Sequence, residues 1–339
     1  MSLREIARQA GVSVATVSRV VNDVDRNKVS DETRDRVLGI ARAMHYRPNP
    51  QAVALVTGRP PNVLGLYLPY NSHVFDSFYF TEIIRGAADA ANSHGMSLAL
   101  HVPSRDAPRA DPSDLLGGPR AVAGLLVIGA RIGDPIIERG RAAGTPMVLV
   151  NNPAPHAEIG SVDCDNVAGA REAVRHLLSL GRRRIAFIAG PDDSANAMDR
   201  RKGYEDALRE AGIAVDPALV LPGDFLEAGG RAAMEALLAL SEPPTAVFAA
   251  NDMMALGAMG ALRDAGRRVP DDVALVGFDD IPLARYVAPA LTTIHQPIHE
   301  VGRRAAEMVL ERARAAPESA PPPAREVLPT RLIVRESSG

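Results

Sequence analysis

From Val63 onward the chain alternates short apolar runs with amphipathic stretches of three to four helical turns, and it does so for most of its 339 residues. Parallel strands need a crossover between them and helices supply it, so the pattern restricts the body to α/β architecture: parallel sheets with helices on both faces. Strands are expected at 63–68, 97–102, 124–128, 146–150, 184–189, 245–249 and 273–278. Helices are expected at 81–93, 135–143, 167–180, 199–211, 227–240, 253–265 and 299–315. So long a body exceeds one doubly wound sheet, which predicts two lobes. Proline-rich residues 317–324 form a loop ahead of one last strand over 326–334.

Residues 3–22 follow a different rule. Ile6, Ala7 and Ala10 recur at helical spacing, Gly11-Val12-Ser13 interrupts, and Ser13 is placed to cap a second helix. Val17, Val20 and Val21 form the inner face of that helix, leaving Val14, Ala15, Ser18, Arg19 and Asn22 outward. Two short helices at a tight turn suit the laying of the second in a DNA groove. Ser30 caps a third helix with Asp31 and Glu32 in its first turn, and Val37, Leu38, Ile40, Ala41 and Met44 close a three-helix core ending near His45. Residues 47–61 read as a linker between prolines, holding a short apolar helix that is stable only when buried.

Charge agrees with a phosphate-binding head. Residues 1–60 carry +4 and the remainder −7, within an overall −3. No apolar run approaches the ~18 residues of a membrane span, and the N-terminus lacks a signal peptide's apolar core, so a cytoplasmic location is expected. The single Cys164 excludes an internal disulfide and reads as a small buried residue. No phosphate loop, nucleophile elbow or zinc helix motif is present and the eight histidines are scattered, so neither cofactor, metal nor catalysis is expected.

Open parallel sheets bind ligands beyond the carboxyl ends of their strands. Those places hold Asn71, Asn151-Asn152, Asn251-Asp252 and Asp279-Asp280, with Arg200 on the helix following the strand that ends at Ala189. Phe75, Phe78, Tyr79 and Phe225 lie in loops where a ring could stack. The set suits a neutral ligand with many hydroxyls. Asp252 and Asp280 fit equally well as helix or turn caps.

The runs AGVSVATVSRVVN, RPNPQAVALVTGR, FAANDMMALGAMGALRDAGRRVPDDVALVGFDDIPLARYVAPALTTI and LPTRLIVRES, in that order, resemble the lactose-repressor (LacI/GalR) family of bacterial transcription regulators. The resemblance implies a helix-turn-helix head over 1–46, a hinge helix in 47–61, and a two-lobed, periplasmic-binding-protein-like (type I) body. The lobes would comprise 62–160 with 291–322, and 161–290 with 323–339. It implies a homodimer on a palindromic double-stranded DNA operator in the bacterial nucleoid, with a small-molecule effector, a sugar or sugar derivative, in the interlobe cleft. Carried over by position, Val14 and Ala15 fall where the family reads base edges, with Thr16, Ser18, Arg19 and Asn22 as base or phosphate contacts. Leu55 matches the leucine that wedges into the minor groove, and Ala52 lies one turn before it. Arg200, Phe225, Asn251, Asp279 and Gln296 match effector contacts; Asn151 stands where an Asp is usual. A transport protein's sugar-binding component and an enzyme using the cleft carboxylates are the competing classes. Residues 1–60 argue against the first, and the second predicts turnover of the ligand.

Overall fold

The computed structural model describes residues 2–46, 62–69, 77–102, 122–315 and 321–339. The linker with Ala52 and Leu55, and the loop with Asn71 and Phe75, lie outside the described residues.

The head contains α1 (Leu3–Ala10), α2 (Val14–Val21) and α3 (Asp31–Ala43). Gly11 ends α1 in the left-handed conformation, φ 64°, and donates its N–H to the Ala7 carbonyl, a stop that only glycine adopts at little cost. Ser13 caps α2 by accepting from the Thr16 N–H at 3.0 Å, and Ser30 caps α3 through Thr33 at 3.3 Å. Ile6, Ala7, Ala10, Val17, Val20, Val37 and Ala41 form the core of the three helices.

The first lobe's sheet comprises β1 (Val63–Tyr67), β2 (Ser97–His101), β3 (Gly124–Ile128), β4 (Met147–Val150), β5 (Gly160–Cys164) and β11 (Arg325–Leu328). Its order is β11-β5-β4-β3-β1-β2, with every pair parallel. Helices α4 (Phe78–Ser93), α5 (Pro135–Ala142) and α10 (Ile298–Arg314) cover it. The second sheet comprises β6 (Ile185–Ile188), β7 (Val220–Leu221), β8 (Ala246–Ala249), β9 (Ala274–Asp279), β10 (Thr292–His295) and β12 (Arg331–Ile333). Its order is β12-β10-β9-β8-β6-β7, parallel except for β10 with β12. Helices α6 (Asn166–Ser179), α7 (Ala195–Glu210), α8 (Glu227–Leu238) and α9 (Asp252–Asp264) pack around it.

The chain therefore changes lobes three times, after β5, after β10 and after β11. This corrects the expected boundaries. β5 and β11 belong to the first lobe and β10 to the second, because each crossing follows its strand rather than preceding it. The single strand expected over 326–334 is two strands in different sheets, divided at Pro329-Thr330, where proline supplies no N–H to a ladder.

Helix pairs approach closely where both partners carry glycine. A Cβ on Gly86 of α4 would lie 2.0 Å from the His299 carbonyl oxygen, and one on Gly302 of α10 would lie 2.1 Å from that of Ile83. Gly230 and Gly257 do the same for α8 and α9.

Candidate functional sites

The carboxyl ends of both sheets face a cleft with a cavity of about 430 Å³. Asn151, Arg200, Phe225, Asn251 and Asp279 line it together, as do Phe78 and Tyr79. The strand ends bring them there from distant parts of the sequence. Several hold backbone conformations that side chains disfavour: Asn151 at φ 63°, Phe225 at φ 68° and Asp279 at φ 125°. Each such residue costs about 1–3 kcal/mol, and such strain concentrates at functional sites.

Arg200 is only 3% exposed. Its Nε donates to Asn166 Oδ1 at 2.9 Å and its Nη1 to the Ala250 carbonyl at 2.6 Å; Asp279 Oδ1 stands 3.6 Å from Nη1. The guanidinium also stacks 3.9 Å above the Phe278 ring. Asp279 accepts from Gln296 Nε2 at 2.7 Å, so Gln296 sits behind the carboxylate that lines the cavity. Burial raises the Asp279 carboxyl, with Arg200 and Gln296 opposing. Burial beside Asp279 raises Asp252 further. Asp252 accepts from Thr293 Oγ1 at 2.5 Å and from the Ile281 N–H at 2.9 Å, which makes it a brace between β9, β10 and α9. At Asp280 burial pushes the carboxyl up, but hydrogen bonds from His295 and Arg335 outweigh it and bring it down to about 2. Asp280 is a brace too.

Asn251 caps α9 through the Met254 N–H at 2.9 Å and donates to the Phe225 carbonyl at 2.9 Å, retaining one lone pair and one N–H for a ligand. The Phe225 ring lies over Gly190, where a Cβ would come within 2.4 Å of it. Asn151 hydrogen-bonds the Tyr79 hydroxyl, whereas Asn152 turns inward to the Ala130 carbonyl at 2.5 Å.

Among the cleft residues unread in the sequence, two polar ones, Asn196 and Arg131, bear on the site's chemistry. Asn196 lies four residues before Arg200 on the same face of α7, and its Oδ1 is buried without a partner among the described residues. The i, i+4 spacing could have found it. Arg131, after β3, pairs with Asp193 of the other lobe, and the Ile132 N–H donates to the Asp193 carbonyl at 3.1 Å. Those loops carry no periodic signal. Among the described residues no cluster of His, Cys, Asp and Glu could hold a metal, and no helix is long and apolar enough to cross a membrane.

In the head, Val14 is 41% exposed and Ala15 is exposed beside it. Thr16 Oγ1 lies 2.8 Å from Ser13 Oγ, and Asn22 Nδ2 donates to Ser18 Oγ at 3.2 Å. Arg19 Nε is 3.9 Å from Asp25, a loose exposed pair that a phosphate or base could displace. The six residues form one continuous outer surface of α2 and its end.

Residues 2–49 match the family described as bacterial regulatory proteins, lacI family, and residues 174–338 match a periplasmic binding protein-like domain. The HTH-type transcriptional regulator CelR of Thermobifida fusca is 37% identical over 338 residues, covering 99% of this chain and 98% of CelR. The chain belongs to the LacI family. Among other LacI-family regulators, the HTH-type transcriptional repressor CytR of Escherichia coli K12 is 38% identical over 311 residues, 91% of this chain and 89% of CytR. Among solved LacI-family structures, a CelR–cellobiose complex matches with TM-score 0.77 and 35% identity over 99% of each chain. The lac repressor dimer bound to operator and the anti-inducer ONPF matches with TM-score 0.79 and 28% identity, covering 99% of this chain and 98% of that one.

Proposed function

We propose that this protein is a repressor whose affinity for a palindromic operator is set by a neutral, hydroxyl-rich molecule in the interlobe cleft, a sugar or a sugar derivative. One observation carries the ligand class. Among the described residues, the two cations lining the cleft, Arg131 and Arg200, already face carboxylates, while Asn196 offers a buried acceptor without a partner. Such a site rewards hydroxyl donors and offers a phosphate no uncommitted charge. Likeness to the CelR–cellobiose complex supports a carbohydrate.

Arg19 reads guanine edges and Val14 and Ala15 touch thymine methyls, with Thr16, Ser18 and Asn22 on bases or phosphates. Leu55 wedges the minor groove, with Ala52 as a further contact there. The chain works in the cytoplasm, at the nucleoid, and binds its ligand without turning it over. It acts as a homodimer, since a palindrome needs two heads about one DNA turn apart. The second lobe supplies a face for this, where Tyr286 is 82% exposed and Leu283 39% exposed beside Met259 and Val287.

The test selects the genomic fragments retained at near-physiological salt, then titrates cellobiose, other neutral disaccharides, nucleosides and sugar phosphates against the selected DNA. The expected result is an enriched palindrome released by a neutral glycoside. No enriched sequence with or without these compounds overturns the DNA reading; a response confined to sugar phosphates overturns the ligand class.

A further inference from the structure

The guanidinium that lines the cleft is tied to the lobe crossings by side chains lying within them. Asn166 opens α6 in the second lobe, two residues beyond the end of β5 in the first. It is 2% exposed. Its Oδ1 accepts from Arg200 Nε at 2.9 Å. Its Nδ2 donates back to Asp163 Oδ1 at 2.9 Å and to the Cys164 carbonyl at 3.0 Å, both in β5. The Cys164 N–H holds the same Asp163 oxygen at 2.7 Å. One planar amide thus spans the crossing, its acceptor engaged on one lobe and its donor on the other.

The remaining crossings converge on the same point. Gln296, between β10 and α10, donates to Asp279, which faces Arg200. Asp165, in the first crossing, donates its N–H to the Leu328 carbonyl at 2.9 Å and accepts from Thr330 Oγ1 at 3.3 Å, in the third.

We propose that Asn166 is a positioning residue that converts displacement of the Arg200 guanidinium into a change of angle between the lobes. It is not a lining residue of the cleft. With both ends of the amide engaged, movement of Arg200 either breaks a hydrogen bond or carries residues 164–166 along. The purpose of this link rests on the regulator reading above; its geometry does not.

Read at about pH 9, where Asp163 is ionised as well, Asn166→Asp isolates the link, because the carboxylate still accepts from Arg200 but cannot donate to Asp163 or Cys164. Spin labels at Asn92→Cys and Ser241→Cys, exposed sites on different lobes, report the interlobe distance in ligand-free protein, and native Cys164 is buried. Asn166→Asp should shift or broaden the distance distribution by several ångströms. Adding Asp163→Asn should narrow it again, because the new amide donates to the new carboxylate and restores the bond with reversed polarity. An unchanged distribution in the single variant, or a double variant as broad as the single, overturns the proposal. If the single variant does not fold, the double variant decides, a wild-type distribution supporting the link and a broad one refuting it.

In a second arm with the selected operator and cellobiose, Asn166→Asp should cut the ligand-dependent change in operator affinity about tenfold while cellobiose affinity holds. A wild type indifferent to cellobiose rejects that ligand and leaves the spin-label result standing. An intact response in Asn166→Asp counts against the link.

Discussion

A guanidinium buried as fully as that of Arg200 is tolerable because an amide, a carbonyl, a carboxylate and an aromatic face share its charge. Arg200→Ala removes the cation from beside Asp279 and should cost about 3 kcal/mol of stability. Ligand-free operator binding, followed by fluorescence anisotropy, should survive, but the response to ligand should vanish; a normal response would remove Arg200 from the effector site. Arg19 is held loosely, by one exposed carboxylate. Arg19→Ala should erase about 1–3 kcal/mol of discrimination between operator and random DNA with ligand affinity unchanged. Competition binding on the two DNAs gives the answer, and undiminished discrimination would take Arg19 out of base readout. At Asp163 burial raises the carboxyl to about 7 against the pull of the Cys164 N–H and Arg200, with Asp199 reinforcing the rise. The folded chain therefore keeps a proton that the unfolded chain sheds near 3.8. That contribution to stability is full below the unfolded value and is lost as pH rises through the folded one. Asp163→Asn should consequently gain on wild type by roughly 4 kcal/mol between acid and pH 8, measured by urea denaturation at both ends; a difference independent of pH would show that Asp163 titrates normally.

Helices and strands were legible where their patterns were strong. The caps Ser13 and Ser30, the stop at Gly11 and the valine face of α2 stand in the structure as the sequence reading placed them. β5 was not read, because Gly160-Ser161-Val162-Asp163-Cys164 offers one branched apolar residue and is buried by its neighbours β4 and β11 rather than by its own composition. β10 has the same difficulty, its two threonines buried through hydrogen bonds to Arg335, Ser338 and Asp252. In the cleft, Asn151, Asn251 and Asp279, each directly after a strong strand or at its end, line the cavity as the strand pattern suggests, whereas Arg131 depends on how two lobes face each other, which one strand's pattern does not encode, and Asn196 shows only through its helical spacing from Arg200. Glycine contacts were equally hidden. Gly302→Ala would place a methyl 2.1 Å from the Ile83 carbonyl oxygen, prying α10 from α4. The expected loss is about 2–3 kcal/mol, seen as a lower melting temperature, whereas Gly39→Ala, with open space around it, should be neutral or slightly stabilising.

Across the whole molecule, two events must communicate, one between lobes and one at the heads. The proposed homodimer would use the apolar face around Leu283 and Tyr286. Tyr286→Asp should give monomers by sedimentation and weaken operator binding about a hundredfold through lost bivalency; a dimer persisting in that variant would place the interface elsewhere. The three crossings carry a further consequence, one for synthesis. The head is assembled from a continuous stretch, residues 2–46, made before either lobe. Neither lobe is continuous: the first lacks β11 and the second lacks β12 until residues 325–333 have been made, and Ser337 and Ser338 then close over β10. A nascent chain thus owns a DNA-reading head well before it owns a body able to answer a ligand. Truncation ahead of β11 would take an edge strand from both sheets at once.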